Sequence, residues 1–320
     1  SSILIFILFH PDRPISEPSP RPMPTLRVVL AAAVLAAASA HAQNTRVVVL
    51  GSGTPNADPD RSGPAIAIVT NGHAYLVDAG PGIVRRAAAA VREGVKALQM
   101  PKLDIVFLTH LHSDHTLGLP DLMLSPWVLD RTAPLRVYGP PGTADMVRFI
   151  DSAYTKDIDI RLHGGEPSNS TGWRTIVHEF SDAGVVYRDS NVTVRAFRVQ
   201  HGRWDYSFGY RFETPDRTIV VSGDTRPTST VVTACNGCDV LVHEVYDAET
   251  FKKRSPAWQA YHSEYHTSTY ELGDLATRAR PKLLLLVHQL YWGGTDADLV
   301  RQVKTKFGGR VVSADDLGMY

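Results

Sequence analysis

The sequence predicts an α+β fold of the αββα sandwich type, in which two β-sheets pack face to face and helices cover their outer faces. Apolar runs of strand length alternate with runs of helical spacing, and this alternation occurs twice along the chain. Histidines and carboxylates that are candidates for a functional site follow several of these apolar runs. The 320 residues are 43% apolar, which is ample for a sizeable core. We see no internal repeat and no domain boundary after Thr45, so we expect one domain over residues 43–320.

The first 42 residues contain two segments that we exclude from the fold. Residues 1–22 precede an initiator candidate, Met23, and their proline-rich sequence indicates a non-native or unstructured leader. Residues 23–42 have a positive Arg27, an apolar run and an A-x-A site, which are typical of a secretory signal peptide. A transmembrane anchor is less favoured because the run is shorter than the ~20 apolar residues of a bilayer span. We expect a periplasmic or secreted protein that has no membrane span after cleavage.

Charge and cysteine content exclude some partners and sites. The chain has 33 basic and 33 acidic residues; removing residues 1–42 takes away three arginines and two acidic residues, which leaves 30 against 31. A near-neutral chain lacks the basic excess that binds a polyanion. Cys235 and Cys238 are the only cysteines, so a four-cysteine zinc site is excluded. They either close a small disulfide at a turn or pack beneath a loop, and the sequence leaves both open.

The first elements of the fold form an antiparallel group of strands. The segments RVVVL, AIAIVT and AYLVDAG have strand character, and the turn Asn71-Gly72 separates the last two. Asp78 ends the third strand, and the alanine-rich run from Ile83 to Val91 predicts a helix. The sheet therefore begins as a meander and continues through a helical connection.

The stretch LTHLHSDHTLGL contains four candidate metal ligands within six residues: His110, His112, Asp114 and His115. If Ile105–Leu108 is a buried strand, His110 and His112 leave its end on the same side. Asp114 and His115 then turn toward a neighbouring point as a helix begins near Leu117. Burying three imidazoles and a carboxylate is costly unless they bind a cation, and this donor set suits Zn²⁺. Two adjacent metals suit the spacing better than one. Asp78 is either a further ligand or, as we favour, a residue that orients a ligand histidine.

The middle of the chain carries fewer functional candidates. A strand LRVYG precedes a helix predicted from Pro140 through Tyr154, and the polar, glycine-rich stretch Asp157–Arg174 predicts a surface insertion. Three runs then predict a second antiparallel group that ends at His201: Val177–Phe180, Val185–Arg188 and Val192–Val199. We interpret His163 and His178 as ordinary loop or surface residues.

The last third contributes further residues at predicted strand ends. Strands over Tyr206–Glu213 and Thr218–Val221 lead to Asp224, a candidate for a carboxylate shared by two metals. Buried strands at Leu241–Glu244 and Leu283–Val287 lead to Glu244 and His288. A helix over Thr267–Arg280 follows His266, with Thr267 or Ser268 as its N-cap. We interpret His243 and His262 as bystanders, and Trp204 and Trp292 as either pocket-wall or core residues.

The motif T-H-L-H-S-D-H resembles the H-x-H-x-D-H signature of the metallo-β-lactamase-fold hydrolases. G-S-G-T-P, Y-G-P-P-G, S-G-D-T, H-E and Y-H-T-S-T together resemble the branch of ribonuclease Z and the related zinc-dependent arylsulfatases and phosphodiesterases. The resemblance covers nearly the whole predicted domain. It implies a metallo-β-lactamase-like fold, two Zn²⁺ ions per chain and a hydroxide between them as the nucleophile.

The resemblance also implies a role for each site residue. One zinc takes His110, His112 and His201, the second takes Asp114, His115 and His288, and Asp224 bridges the two. Asp114 also handles the proton of the attacking water, and Glu244 and His266 form a pair that donates a proton to the leaving group or a charged oxygen.

The function that we predict is that of an exported di-zinc hydrolase of sulfate esters or phosphodiesters, with a small-molecule ester as its substrate. Ribonuclease Z carries a long glycine- and proline-rich arm between the positions of His201 and Asp224, where this chain has only 22 residues. The missing arm and the neutral charge argue against tRNA as a partner. A lactonase or β-lactamase activity and a non-catalytic exported zinc-binding protein are the alternatives, and a homodimer is left open.

Overall fold

Two β-sheets form the centre of the computed structural model, which describes residues 44–320. The first sheet has the strand order β1-β2-β3-β4-β5-β6 and the second has the order β13-β12-β11-β10-β9-β8-β7. The strands of the first sheet are β1 Arg46–Gly51, β2 Ala65–Thr70, β3 His73–Val77, β4 Ile105–Phe107, β5 Leu135–Gly139 and β6 Thr175–Glu179. Those of the second are β7 Gly184–Arg188, β8 Thr193–Arg198, β9 Phe208–Glu213, β10 Thr218–Val221, β11 Val240–Tyr246, β12 Leu283–Leu290 and β13 Arg310–Ser313.

Each sheet changes from antiparallel to parallel pairing along its width. Strands β1 to β3 form a meander, and the turn at Asn71 and Gly72 has positive φ at both residues, as a two-residue hairpin requires. Strands β3 to β6 are parallel, and so are β10 to β13. Parallel neighbours need crossover connections, and these are helices. The carboxyl ends of the parallel strands of one sheet therefore point to the same edge.

Along the chain, the helices lie in the connections between strands. Their bounds are α1 Ile83–Arg92, α2 Ser113–Thr116, α3 Leu119–Val128, α4 Thr143–His163, α5 Ser229–Cys235, α6 Ala248–Phe251, α7 Pro256–Tyr265, α8 Thr269–Ala279 and α9 Asp296–Lys304. Ser268 is the N-cap of α8 and forms a capping box with Glu271, which settles the choice that the sequence left between Thr267 and Ser268. Among residues 44–320, no helix has both the length and the apolar character to cross a membrane.

Three layers of apolar side chains confirm the predicted αββα sandwich. The central layer lies between the sheets and includes Val47, Phe107 and Tyr210. Helices α1 and α3 cover the outer face of the first sheet, where Val48 and Leu50 are buried. Strand β1 is therefore buried on both faces, which explains its continuous apolar run RVVVL. Helices α5, α8 and α9 cover the outer face of the second sheet.

Two predictions for the middle of the chain are wrong. Helix α4 does not end at Tyr154 but continues to His163, so much of the predicted surface insertion is helical. An ion pair from Asp157 to Arg161 and a hydrogen bond between Asp159 and His163, both at i,i+4 spacing, support this added length. The strand predicted at Val177–Phe180 belongs to the first sheet, parallel to β5, rather than to the second antiparallel group.

The cysteines form a disulfide, which settles the other alternative left open by the sequence. Cys235 is the last residue of α5, and its bond to Cys238 spans the turn that leads into β11. Both cysteines are buried. The predicted leader and signal peptide lie outside the described residues.

Arg131 is a buried cation that the sequence did not single out. Its guanidinium donates to the carbonyl oxygens of Leu103, Leu122, Met123 and Gly172. Burial lowers the pKa of Arg131 to about 10, so the group is still charged at neutral pH. Four carbonyls from three segments are thus satisfied by one side chain, which holds α3 against the loop before β6.

We expect Arg131→Met to lower the free energy of unfolding by about 3 kcal/mol, because buried carbonyls lose their donors. Urea unfolding followed by circular dichroism measures this change. Arg85→Met is the matched control, since the Arg85 side chain is 84% exposed and its partner Asp121 is a single surface carboxylate. Equal stability of the two variants would contradict a structural role for Arg131.

Candidate metal centre

Seven predicted ligands and His266 converge at one edge of the sandwich. The ligand atoms of His110, His112, His201 and Asp224 lie within 4.8 Å of one another, and so do those of Asp114, His115 and His288. Asp224 also groups with His266 and His288. The residues reach this edge because β4, β8, β10 and β12 all run toward it.

The first group presents three imidazole nitrogens to one point. His112 Nδ1 lies 3.0 Å from His110 Nε2 and 3.0 Å from His201 Nε2. Burial lowers the pKa of His201 to about 3 and that of His110 well below its usual range. These histidines are therefore neutral at pH 7, which is the form that binds a metal.

The second group is built around two carboxylates. Asp114 Oδ2 lies 3.2 Å from His288 Nε2 and 3.5 Å from His115 Nε2. Asp224 Oδ2 lies 3.4 Å from both of these nitrogens and 4.0 Å from His201 Nε2. The carboxylate of Asp224 thus faces candidate ligands of both sets.

A cation suits this donor set. His115 Nε2 is buried and has no hydrogen-bond partner, although it points at Asp114 and Asp224. Burial opposes protonation of His115, but Asp224, Asp78 and Asp114 outweigh it and raise its pKa well above the usual value. The carboxylates thus draw positive charge to this point. Imidazole and carboxylate donors are ligands that Zn²⁺ prefers.

Asp78 positions two of the ligands. Its carboxylate accepts from His115 Nδ1 at 2.8 Å and from the Thr109 hydroxyl, which itself accepts from His110 Nδ1 at 3.0 Å. With Nδ1 protonated, each imidazole turns its Nε2 lone pair toward the cluster. Asp78 therefore orients ligands and does not lie in the ligand groups itself. His201 is held in the same way, because its Nδ1 donates to the Tyr265 carbonyl at 2.8 Å.

Trp204 contacts the cluster and is not a core residue. Its indole N–H donates to His112 Nε2 at 2.9 Å, and an indole nitrogen can only donate. The proton of neutral His112 therefore lies on Nδ1, the atom that faces His110 and His201. His112 Nδ1 would have to lose this proton before it could hold a metal.

His288 reaches the site through a β-bulge. The prediction that the strand ends before it is wrong, because β12 continues to Leu290. In the pairing with β11, Glu244 lies opposite Val287 and Val245 lies opposite Gln289. His288 is therefore an extra, unpaired residue, and its φ is 46°. The bulge turns its side chain out of the ladder and toward Asp114.

Glu244 and His266 form a buried pair beside the cluster. Glu244 lies inside β11 rather than at its end, and its Oε1 accepts from the backbone N–H groups of Thr225 and Thr267. His266 Nδ1 is 3.4 Å from the same oxygen and 3.9 Å from Asp224 Oδ2. Burial and the charge of Asp224 raise the pKa of Glu244 well above its usual value, and burial lowers that of His266 to about 4. The shared contact with Glu244 Oε1 and the proximity of Asp224 place this pair directly beside the ligand groups.

A cavity of about 320 Å³ opens onto the cluster. Ligand residues and His266 form its inner part. The outer part contains Arg254 and Tyr261, which the sequence did not identify, and Trp258, which by sequence is either a pocket-wall or a core residue. The predicted bystander His262 also lines it, as does Trp292, which is therefore a pocket-wall residue. Four of these five lie on α7 or just before it. Ser255-Pro256, an N-cap residue followed by proline, is the local signal for this helix start.

Three other histidines of the described region, His163, His178 and His243, do not line the cavity. His243 is buried and donates to the Glu244 carbonyl. His178 stacks on Tyr138, and exposed His163 pairs with Asp159.

Comparison with known proteins agrees with this geometry. The profile of the beta-lactamase superfamily domain matches residues 73–289. Ribonuclease Z from Mycobacterium sp. (strain KMS) is 35% identical over 275 residues, which cover 85% of this chain and 94% of that protein. Ribonuclease Z from Mycobacterium marinum is 33% identical over 276 residues, covering 85% and 96%. The short form of human tRNase Z has the same fold, with a TM-score of 0.64 at 23% identity, and the alignment covers 86% of this chain and 98% of that one.

Fold and site together define the class of β-lactamase-superfamily metallo-hydrolases. The chain belongs to this superfamily, and within it to the ribonuclease Z-like branch.

We expect zinc affinity to rise between pH 6 and pH 8. Burial opposes protonation of His288, yet Asp224 and Asp114 raise its pKa, as carboxylates also do for His115. Zinc must displace these protons. For each proton displaced, the zinc affinity therefore falls about tenfold when the pH is lowered by one unit. Chelator competition measures the affinity, and calorimetry in two buffers counts the protons released.

His163→Ala is the matched control, because this exposed histidine lies outside the cluster. Equal affinity at both pH values, without proton release, would contradict the expectation.

Proposed function

We propose that the chain is a metal-dependent hydrolase of phosphodiester bonds that also acts on sulfate esters. The observation that carries the proposal is the position of an acid–base pair beside two groups of candidate metal ligands. Asp224 links the two groups, and Glu244 with His266 lies next to it. A binding protein without catalysis requires the ligands but has no use for the pair.

The residues suit two Zn²⁺ ions. His110, His112 and His201 would hold one, Asp114, His115 and His288 the other, and Asp224 would contact both. Bound there, two such ions lower the pKa of a water molecule and stabilise the charge that develops on an attacked phosphoryl or sulfuryl group.

The protein groups handle the protons of this reaction. Burial opposes ionisation of Asp114, but His115 and His288 outweigh it and lower its pKa, so the carboxylate is available to accept the proton of the attacking water. Glu244 and His266, whose Oε1 and Nδ1 lie 3.4 Å apart, would deliver a proton to the departing oxygen. A departing alkoxide or aryloxide needs this proton.

A small-molecule ester is our preferred substrate. The residues between His201 and Asp224 form a short loop and the β9–β10 hairpin, which leaves no room for a protruding arm between these two ligands. The chain also lacks a basic excess. RNA is the second candidate, because the mycobacterial relatives are named ribonuclease Z.

Export to the periplasm or the medium is part of the proposal. The features of residues 23–42 support a signal peptide, and the Cys235–Cys238 disulfide is of the kind that persists in oxidising compartments. Detection of the chain in a periplasmic or medium fraction, with Gln43 as its first residue, tests this part.

We expect zinc-loaded protein to hydrolyse bis-p-nitrophenyl phosphate and p-nitrophenyl sulfate faster than a lactone. Asp224→Ala removes the carboxylate shared by both ligand groups, so turnover falls to the level of metal-free protein. Asp145→Ala is the control, since that carboxylate is exposed on α4. Release of p-nitrophenolate measures the rates, and a tRNA is tested alongside. Turnover of the lactone alone contradicts the proposal, and turnover of tRNA alone favours the second candidate.

We expect His266→Ala and Glu244→Gln to slow the hydrolysis of esters with poor leaving groups more than that of esters with good leaving groups. The loss in kcat/KM is about 10²- to 10⁴-fold for methyl phenyl phosphate. It is much smaller for methyl p-nitrophenyl phosphate, because p-nitrophenolate departs without a proton. Phosphorus NMR follows both reactions.

His178→Ala serves as the control, because His178 stacks on Tyr138 away from the cavity. An equal loss with both esters would refute proton donation and indicate a structural role for the pair.

A further inference from the structure

The outer wall of the cavity is a stack of aromatic rings on α7 and the loop after β12. The rings of Trp258 and His262 are nearly parallel, with centroids 5.4 Å apart and an angle of 21° between planes. His262 also lies 4.5 Å from Trp292 and 5.5 Å from the site residue His266. The wall therefore begins beside the proposed proton donor and extends outward to Trp258, which is 49% exposed.

Arg254 is held between the two tryptophans of this wall. Its guanidinium carbon lies 5.5 Å from the ring centroid of Trp258 and 5.4 Å from that of Trp292. Its Nε is buried and has no hydrogen-bond partner, and no carboxylate among residues 44–320 forms an ion pair with it. By contrast, Arg61 faces an aromatic ring too, but pairs with Asp296.

An uncompensated cation between two rings on a cavity wall indicates a ligand. Cation–π contact holds the guanidinium in place without using up its N–H donors. Those donors are suited to a carboxylate or another planar acceptor. The aromatic faces next to it are suited to stack a flat ring.

We propose that Arg254, Trp258, Tyr261, His262 and Trp292 form a subsite for a planar aromatic group of the substrate ester. Arg254 takes an anionic or hydrogen-bond-accepting substituent on that group, at the end away from the metal ligands. This inference rests on the proposed function and narrows its substrate class to aromatic esters that carry such a substituent.

The dimensions of the cavity agree with this assignment. Its volume of about 320 Å³ lies at the lower end of the ~300–1,000 Å³ of small-molecule pockets. One ring system with an ester on one side and a charged substituent on the other fills such a space. A single cavity borders both His288 and Arg254, so one molecule reaches both.

Three phosphonates that cannot be hydrolysed test the subsite by calorimetry on the zinc-loaded full chain. Benzylphosphonate and cyclohexylmethylphosphonate differ in having a flat or a puckered ring, and 4-carboxybenzylphosphonate adds the anionic substituent. We expect benzylphosphonate to bind about tenfold more tightly than cyclohexylmethylphosphonate. We expect 4-carboxybenzylphosphonate to bind about tenfold more tightly again than benzylphosphonate. Thymidine 5′-monophosphate is titrated alongside. If it binds more tightly than benzylphosphonate, the planar group of the substrate is a nucleobase; if it binds more weakly, that group is an aryl ring.

Two variants separate the two contacts. Trp258→Ala removes an exposed ring and should abolish the preference for benzyl over cyclohexylmethyl. Arg254→Gln should abolish the gain from the carboxylate while keeping the preference for the flat ring. The matched controls are Phe149→Ala, an aromatic residue 61% exposed on α4, and Arg85→Gln, and both should bind as wild type.

The subsite proposal is overturned if the three phosphonates bind wild-type protein equally well. It is also overturned if both variants distinguish the phosphonates as well as the wild type does. This outcome is distinct from failure of the proposed hydrolysis. If the phosphonates are discriminated but no ester is turned over, the subsite stands and the hydrolase proposal fails. If esters are turned over without discrimination, the hydrolase stands and the subsite fails.

Discussion

The carboxylate of Asp224 sets the constraint on which the rest of the site depends. Its Oδ2 lies within 4.0 Å of nitrogens from His115, His201, His266 and His288, and the side chain is almost wholly buried. A buried carboxylate is stable only if positive charge or hydrogen bonds compensate it. Segments from four parts of the chain therefore meet at this point. They are the residues after β4, the residues after β8, the residue that follows α7 and the bulge in β12.

A second layer of contacts fixes the ligands before any cation binds. Asp78 orients His115 directly and His110 through Thr109, so loss of this one carboxylate affects both ligand groups. Asp78 and His288 both have positive φ, 60° and 46°, which costs about 1–3 kcal/mol for each non-glycine residue. The paired strands on either side hold this strain in place, and it serves to aim side chains that an ideal strand would point elsewhere.

The accuracy of the sequence predictions varied with the kind of signal. The ligand cluster beginning at His110 and the alternation of strands and helices were predictable, because ligand chemistry and periodicity are local properties. Helix α4 was predicted too short, since its last turns are mostly polar and bury only Ile158 and part of Leu162, with an ion pair from Asp157 to Arg161 on the surface. The sheet of β6 was assigned wrongly, because a short alternating strand does not reveal its neighbour. Helix α7 was missed although Ser255-Pro256 signals its start.

By itself, the sequence determined the residue types of the candidate metal centre, their order along the chain and the αββα class, all of which follow from residue chemistry and local spacing. Only the tertiary structure decided which atoms meet. Asp114 and His288 touch across 174 residues of sequence, and the bulge that allows this contact depends on the register of β12 against β11. The cavity wall was also a tertiary outcome, because Arg254 and Trp292 become neighbours only when α7 packs beside the loop after β12. Periodicity carries no information about such distances, since they depend on how separate elements pack.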